Sequence, residues 1–248
     1  LGYYVFHGGS NPRGRHSMLN ESSCPRISYD FQAPLREFGQ VNRPVYAQLK
    51  RFHLFLNGFG HLAAMKSALP DLQPWGPEDT DTPRAGMRTD GNSGFLFFCN
   101  FQDHVENRKL EGVSVLTEIG GERLRTPSTG TLSLPAGMAA VLPLRLDLSG
   151  ILLKSATVQP LTALRIGEET VWFFFAPDGM PPEYLFGPET EIAEPGTSRV
   201  SVLPAGKRVV PAPGTDSAFV LAGGEQGPVR IFTLTDAQSL QFWKARLS

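Results

Sequence analysis

Glu21, Asp30 and Glu37 are the carboxylates that chemistry near the start of this chain would have to use. Glycoside hydrolysis, the reaction class that most often depends on paired carboxylates, needs one as general acid and one as nucleophile or base. Glu21 lies in a polar loop with no apolar flank to raise its pKa, and Glu37 precedes Phe38-Gly39 in a turn-like stretch. Both therefore read as solvated loop acids. Asp30 differs, because it sits in Ile27-Ser-Tyr-Asp-Phe31 among residues expected to be buried. His7-Gly-Gly-Ser-Asn11 follows an apolar run as a phosphate loop would, but the chain has neither G-x-x-x-x-G-K-[ST] nor G-x-G-x-x-G, and no helix pattern follows directly. The glycines more simply let the backbone turn tightly at a strand's end. His7, His16, His53, His61 and His104 lack metal-ligand spacing, and no G-x-S-x-G elbow is present. Cys24 and Cys99 form no C-x-x-C pattern, which leaves a single disulfide open. No catalytic residue, cofactor-binding residue or metal ligand is expected in this chain.

The elements that would position these residues fall into three zones. Residues 1–70 begin with an apolar strand, Tyr3–Phe6, followed by a long irregular loop of the kind that is usually functional. A helix is predicted next. Pro44 suits its first turn, and Val45, Leu49, Phe52 and Leu56 recur on one face until Asn57-Gly58 stops it. Leu62–Leu69 reads as a shorter helical piece.

Residues 71–234 open with a linker dense in Pro, Asp and Thr. Short apolar runs separated by turn residues then predict an antiparallel sandwich: Gly94–Phe101, Val113–Ile119, Thr131–Leu134, Ala139–Leu148, Ile151–Val158, Leu161–Ile166, Val171–Ala176, Glu183–Phe186, Arg199–Leu203, Ala218–Ala222 and Val229–Leu234. Leu134-Pro-Ala-Gly137 and Leu203-Pro-Ala-Gly206, each with an aromatic strand upstream, suggest two similar β units. Residues 235–248 start a helix from the capping box of Thr235 and Gln238, with Leu240, Phe242, Trp243 and Leu247 on its apolar side. The start at Leu1, without a signal-peptide pattern, and the helix left open at the other end are expected to reflect truncation.

A chain that is 41% hydrophobic and 19% charged is globular in composition. A net charge of -1, from 23 basic and 24 acidic residues spread along it, argues against nucleic acid and anionic membrane as partners. No apolar run approaches the length needed to span a bilayer.

Two segments resemble glycoside hydrolase family 35, the β-galactosidases. Tyr3-Tyr-Val-Phe-His-Gly-Gly-Ser-Asn11 is similar to the family's Y-M-F-x-G-G-T-N strand. Ser28-Tyr-Asp-Phe-Gln-Ala-Pro-Leu-Arg-Glu-Phe-Gly39 resembles its T-S-Y-D-Y-D-A-P-L-x-E-x-G. The resemblance implies that residues 1–70 end a TIM (β/α)8 barrel, as its last strand, loop and helix, followed by mainly antiparallel accessory β domains. It implies that Tyr4, Tyr29 and Phe31 face a galactoside substrate, and that retaining hydrolysis needs two glutamates carried by a missing N-terminal barrel portion. Phe31 replaces the family's second tyrosine and Gln32 stands where the family often has Asp, which removes one hydroxyl from the sugar pocket. A periplasmic or secreted location is what the resemblance favours.

A second reading, of a different class, is a carbohydrate-binding or scaffolding β-sandwich module. Its sugar platform would be an exposed aromatic. Trp172, in an all-apolar strand, and Trp243, on a helix's apolar face, are expected in the core, which leaves Trp75 in the linker.

Overall fold

The structure, a computed structural model, describes residues 4–10, 30–71, 73–225 and 227–245. Pro44 enters helix α1 (Arg43–Gly58) in its first turn, where its missing N–H breaks no helical bond. The helix opens as Asn42 accepts from the Tyr46 amide at 2.9 Å and stops at Gly58, as the sequence predicts. The next segment does not follow expectation. Leu62–Leu69 is not helical throughout: a short 3₁₀ turn, Gly60–Ala64, gives way to strand β1 (Lys66–Ala68), which pairs antiparallel with β2 (Arg84–Thr89). Pro70 disfavours helix in the residue before it, and the hydrogen bonds of β2 offer the backbone an alternative.

The chain then continues through β3 (Gly94–Cys99), β4 (Leu110–Val113), β5 (Val115–Ile119), β6 (Glu122–Thr126), β7 (Leu132–Leu134) and β8 (Ala139–Asp147). After these come β9 (Leu152–Ala156), β10 (Gln159–Ile166), β11 (Glu169–Ala176), β12 (Tyr184–Phe186) and β13 (Ile192–Glu194). The last elements are β14 (Arg199–Leu203), β15 (Gly206–Val210), β16 (Phe219–Gly224), β17 (Gly227–Thr235) and helix α2 (Asp236–Gln241). One sheet runs β1-β2-β3-β8-β9-β12-β15-β14, antiparallel throughout. The other runs β10-β11-β17-β16-β13, with β11 and β17 parallel. β4 pairs with β7 and β5 with β6 as two small ribbons.

By contacts the chain forms two compact units, Leu1–Leu54 with Leu240–Ser248, and Phe55–Ser239. In the second, the alternation of strand side chains builds a core on both faces of β3. Phe95 packs with Phe59, their ring centroids 5.6 Å apart, and Phe59 in turn lies 6.0 Å from Trp172 of β11. Leu96 and Phe98, on the opposite face, join Leu124, Leu132, Leu142 and Leu144. Between the two large sheets Tyr184 is fully buried, edge-on to Phe174 at 5.2 Å and to Phe219 at 5.3 Å. Its hydroxyl bonds Thr233 Oγ1 at 2.7 Å, and burial pushes the phenol pKa far up. Each such aromatic contributes roughly 1.5–3 kcal/mol by leaving water.

The expected end of a (β/α)8 barrel is overturned. A barrel strand requires a hydrogen-bonded neighbour on either side. The segment from Tyr4 makes instead an isolated parallel bridge, His7 to Leu35, and every strand from β1 onward belongs to mainly antiparallel sheets. With a loop residue as its partner, the segment forms no strand among the described residues, and the fold is mainly β-sandwich.

Candidate functional site

In the first unit the segment 4–10 is tied to 30–42 by backbone bonds. Leu35 N donates to Phe6 O at 3.0 Å, and Gly8 N donates to Leu35 O at 2.7 Å. Ala33 N donates to Asp30 O at 2.9 Å and closes a turn whose central residues, Phe31 (φ 41°) and Gln32 (φ 52°), are both left-handed. Those φ values are those of a type I′ turn, which ordinarily takes Asn, Asp or Gly. A side chain with a Cβ costs roughly 1–2 kcal/mol at each such position.

Two side-chain contacts hold the turn. Asp30 faces Arg36, whose Nε lies 2.9 Å and Nη2 2.5 Å from Oδ2. Asn42 Nδ2 donates to Gln32 O at 2.8 Å. The hydrogen bond from Arg36 holds the Asp30 carboxyl below its ordinary range, with the guanidinium charge adding to it against partial desolvation. Asp30 was expected to be wedged among buried neighbours. It is instead half-buried, because Phe31 beside it turns outward.

The result is an aromatic cleft. Tyr4 is 90% exposed and Phe31 60% exposed, their centroids 5.9 Å apart and their planes at 73°. With Ala33, Pro34, and Val45 and Leu49 from α1, they line an open cleft of about 440 Å³. Such a wall offers apolar CH contact and one phenolic hydroxyl. The one carboxylate next to Phe31 in the chain, Asp30, is already engaged by Arg36.

Of the predicted site residues, the structure brings Tyr4 and Phe31 together; Tyr29 lies outside the described residues. Sequence reasoning missed Arg36 and Asn42, since no spacing rule announces an ion pair that exists only once the turn has folded. Trp243 also departs from expectation. α2 ends at Gln241, so Trp243 leaves the helix and is 67% exposed, not core. Lys50 Nζ sits 3.9 Å above its ring while donating to Leu240 O at 2.9 Å, and burial lowers the lysine's pKa. No protein-family model matches the chain.

Proposed function

We propose that the chain is the C-terminal, non-catalytic portion of a retaining β-galactosidase, in which the Tyr4–Phe31 cleft forms one wall of the galactose pocket. One observation carries the reading. The two segments that resemble the β-galactosidase motifs are separated by a predicted loop in sequence, and their aromatic residues meet at 5.9 Å in one cleft. β-Galactopyranose has a continuous CH face, which suits an exposed phenyl or phenol ring, and polar edges, which suit the Tyr4 hydroxyl. Phe31 supplies contact area without a second hydroxyl. Double displacement needs two carboxyl groups roughly 5 Å apart on opposite sides of the scissile bond. In this reading both are supplied by the remainder of the enzyme, because Asp30 is held by Arg36.

The test has two parts. Pure chain incubated with p-nitrophenyl β-galactoside is expected to release no nitrophenol; clear turnover refutes the claim that the catalytic carboxylates lie elsewhere. Galactose titrated into labelled chain is expected to shift the amides of residues 31–33, and Tyr4→Ala to suppress the shift. Unmoved amides at millimolar sugar refute the pocket wall.

A further inference from the structure

A second exposed aromatic lies in the β unit, on a surface built to keep it fixed. Trp75 is 80% exposed, between Pro74 and the Gly76-Pro77 pair. Its loop is wound around Asp79, a residue only 5% exposed. The Asp79 carboxylate accepts from the backbone amides of Trp75 at 3.3 Å, Asp81 at 3.0 Å and Thr82 at 2.9 Å. Asp79's own amide donates to Gly76 O at 3.3 Å, so the turn that presents the indole is closed from both ends.

The neighbouring loop carries Phe101, 53% exposed, and is braced in the same manner. Buried Asn100 donates to Arg108 O at 2.9 Å and Leu134 O at 2.8 Å. Asn107 exchanges two 2.8 Å bonds with the backbone of Gln102. The two loops leave the same end of the eight-stranded sheet, where Arg84 of β2 is paired with Cys99 of β3. Arg108 also meets Asp81 across them at 3.2 Å.

Two rings are held out on braced loops, with the Asp81–Arg108 pair between the loops, so the surface joins apolar faces to polar groups. The charges are of both signs, which disfavours a polyanion. The chemistry that fits is a neutral sugar chain: pyranose CH faces stack on the rings, while hydroxyls bond to carboxylate and guanidinium. Rigid loops also reduce the ordering cost that keeps such contacts weak.

We propose that Trp75 and Phe101 form a second carbohydrate site, which binds an oligosaccharide of several linked hexopyranoses independently of the Tyr4–Phe31 cleft. The choice of galactose units rests on the galactoside reading; the site itself does not. Isothermal titration of the whole chain with β-1,4-galactotetraose, and in parallel with cellotetraose, tests it. Binding of at least one of the two is expected, with a component that is weakened at least tenfold by Trp75→Ala and several-fold by Phe101→Ala and that persists in Tyr4→Ala. Trp75 is exposed, so its replacement should leave the melting temperature in place and the comparison clean. Binding that Tyr4→Ala removes and Trp75→Ala spares overturns the second site while leaving the cleft reading intact. No heat with either tetrasaccharide overturns it as well.

Discussion

Glu183 is the buried carboxylate on which the structure makes the most quantitative demand. Its side chain is 3% exposed, and its Oε2 accepts from Arg208 Nε at 2.6 Å while its Oε1 accepts from the Ser128 amide at 2.5 Å. Its backbone is tied to Thr157, whose hydroxyl accepts from Glu183 N at 2.9 Å and whose amide donates to Glu183 O at 3.0 Å. One residue thus joins the loop after β6, the β9–β10 turn, β12 and β15. Glu183→Ala leaves the Ser128 amide without an acceptor, about 1–3 kcal/mol. It also strips Arg208 of its counter-charge, and that side chain, 26% exposed, can recover only part of its hydration. The sum falls near the lower end of the ~3–5 kcal/mol typical when one partner of a buried pair is removed. For a chain of this size that corresponds to a melting temperature lower by about 6–12 °C. Glu183→Gln, which keeps the shape and an acceptor, should cost about half as much. Because the chain has two compact units, the measurement should follow β12 and β15 directly, by hydrogen exchange of their amides alongside the thermal melt. If Glu183→Ala melts within about 2 °C of the parent and protects those amides equally, the pair is not holding the sheet and the reasoning is wrong.

Two further outcomes follow from single groups. Asp79 is held down to about 2 from an ordinary 3.8, chiefly by the hydrogen bonds from Thr82. A depressed carboxyl stabilises the folded loop above its unfolded pKa and loses that contribution as pH falls through the folded one. Trp75 emission should therefore stay constant at neutral pH and shift between about pH 4 and pH 2, and Asp79→Asn should flatten that transition. Tyr184→Phe deletes the bond to Thr233 Oγ1 and leaves that buried hydroxyl unpaired, so urea denaturation should show a loss of about 1–3 kcal/mol with an unchanged m-value. A loss under about 0.3 kcal/mol would mean that the hydroxyl finds another partner.

The apolar strands were legible because both of their faces are buried. β3, β8 and β11 read as apolar runs rich in Phe, Leu and Val, and all three are interior strands of the two sheets. β2, β6 and β15 were not legible: Arg-Ala-Gly-Met-Arg-Thr, Glu-Arg-Leu-Arg-Thr and Gly-Lys-Arg-Val-Val carry charges on their wetter face and find their strand state through a partner. The apparent repeat separates in space. Leu203 and Gly206 close a two-residue hairpin between β14 and β15, whereas Pro135 to Gly137 leads from β7, which pairs with β4, into β8, which pairs with β3 and β9. The aromatic strands upstream lie in different sheets. The barrel end failed for a related reason: a motif can suggest the strand but cannot supply the neighbours that make it one. At the C-terminus the capping box is formed, with Gln238 N bonding Thr235 Oγ1 at 3.2 Å and Thr235 N bonding Gln238 Oε1 at 3.0 Å. Capping fixes where a helix begins and says nothing of where it stops, so Trp243 could not be placed.

The two aromatic surfaces share one physical device, and it argues that their exposure is selected. Leaving a Phe or Tyr ring in water forgoes roughly 1.5–3 kcal/mol of burial. At Phe31 and Gln32 the backbone adds left-handed strain. A chain under no other constraint would relieve both with a glycine or asparagine in the turn and a polar residue at the ring. Instead, Asp30 is clamped by Arg36 beside Phe31, and Asp79 gathers three amides beneath Trp75. In each case a carboxylate engaged by donors lies in the loop that presents the ring. Local propensity loses at the Phe31–Gln32 turn, and such places are where binding is found. If ligand binding is the reason, freeing either carboxylate should weaken sugar binding more than it weakens folding; the reverse order would make both rings ordinary surface.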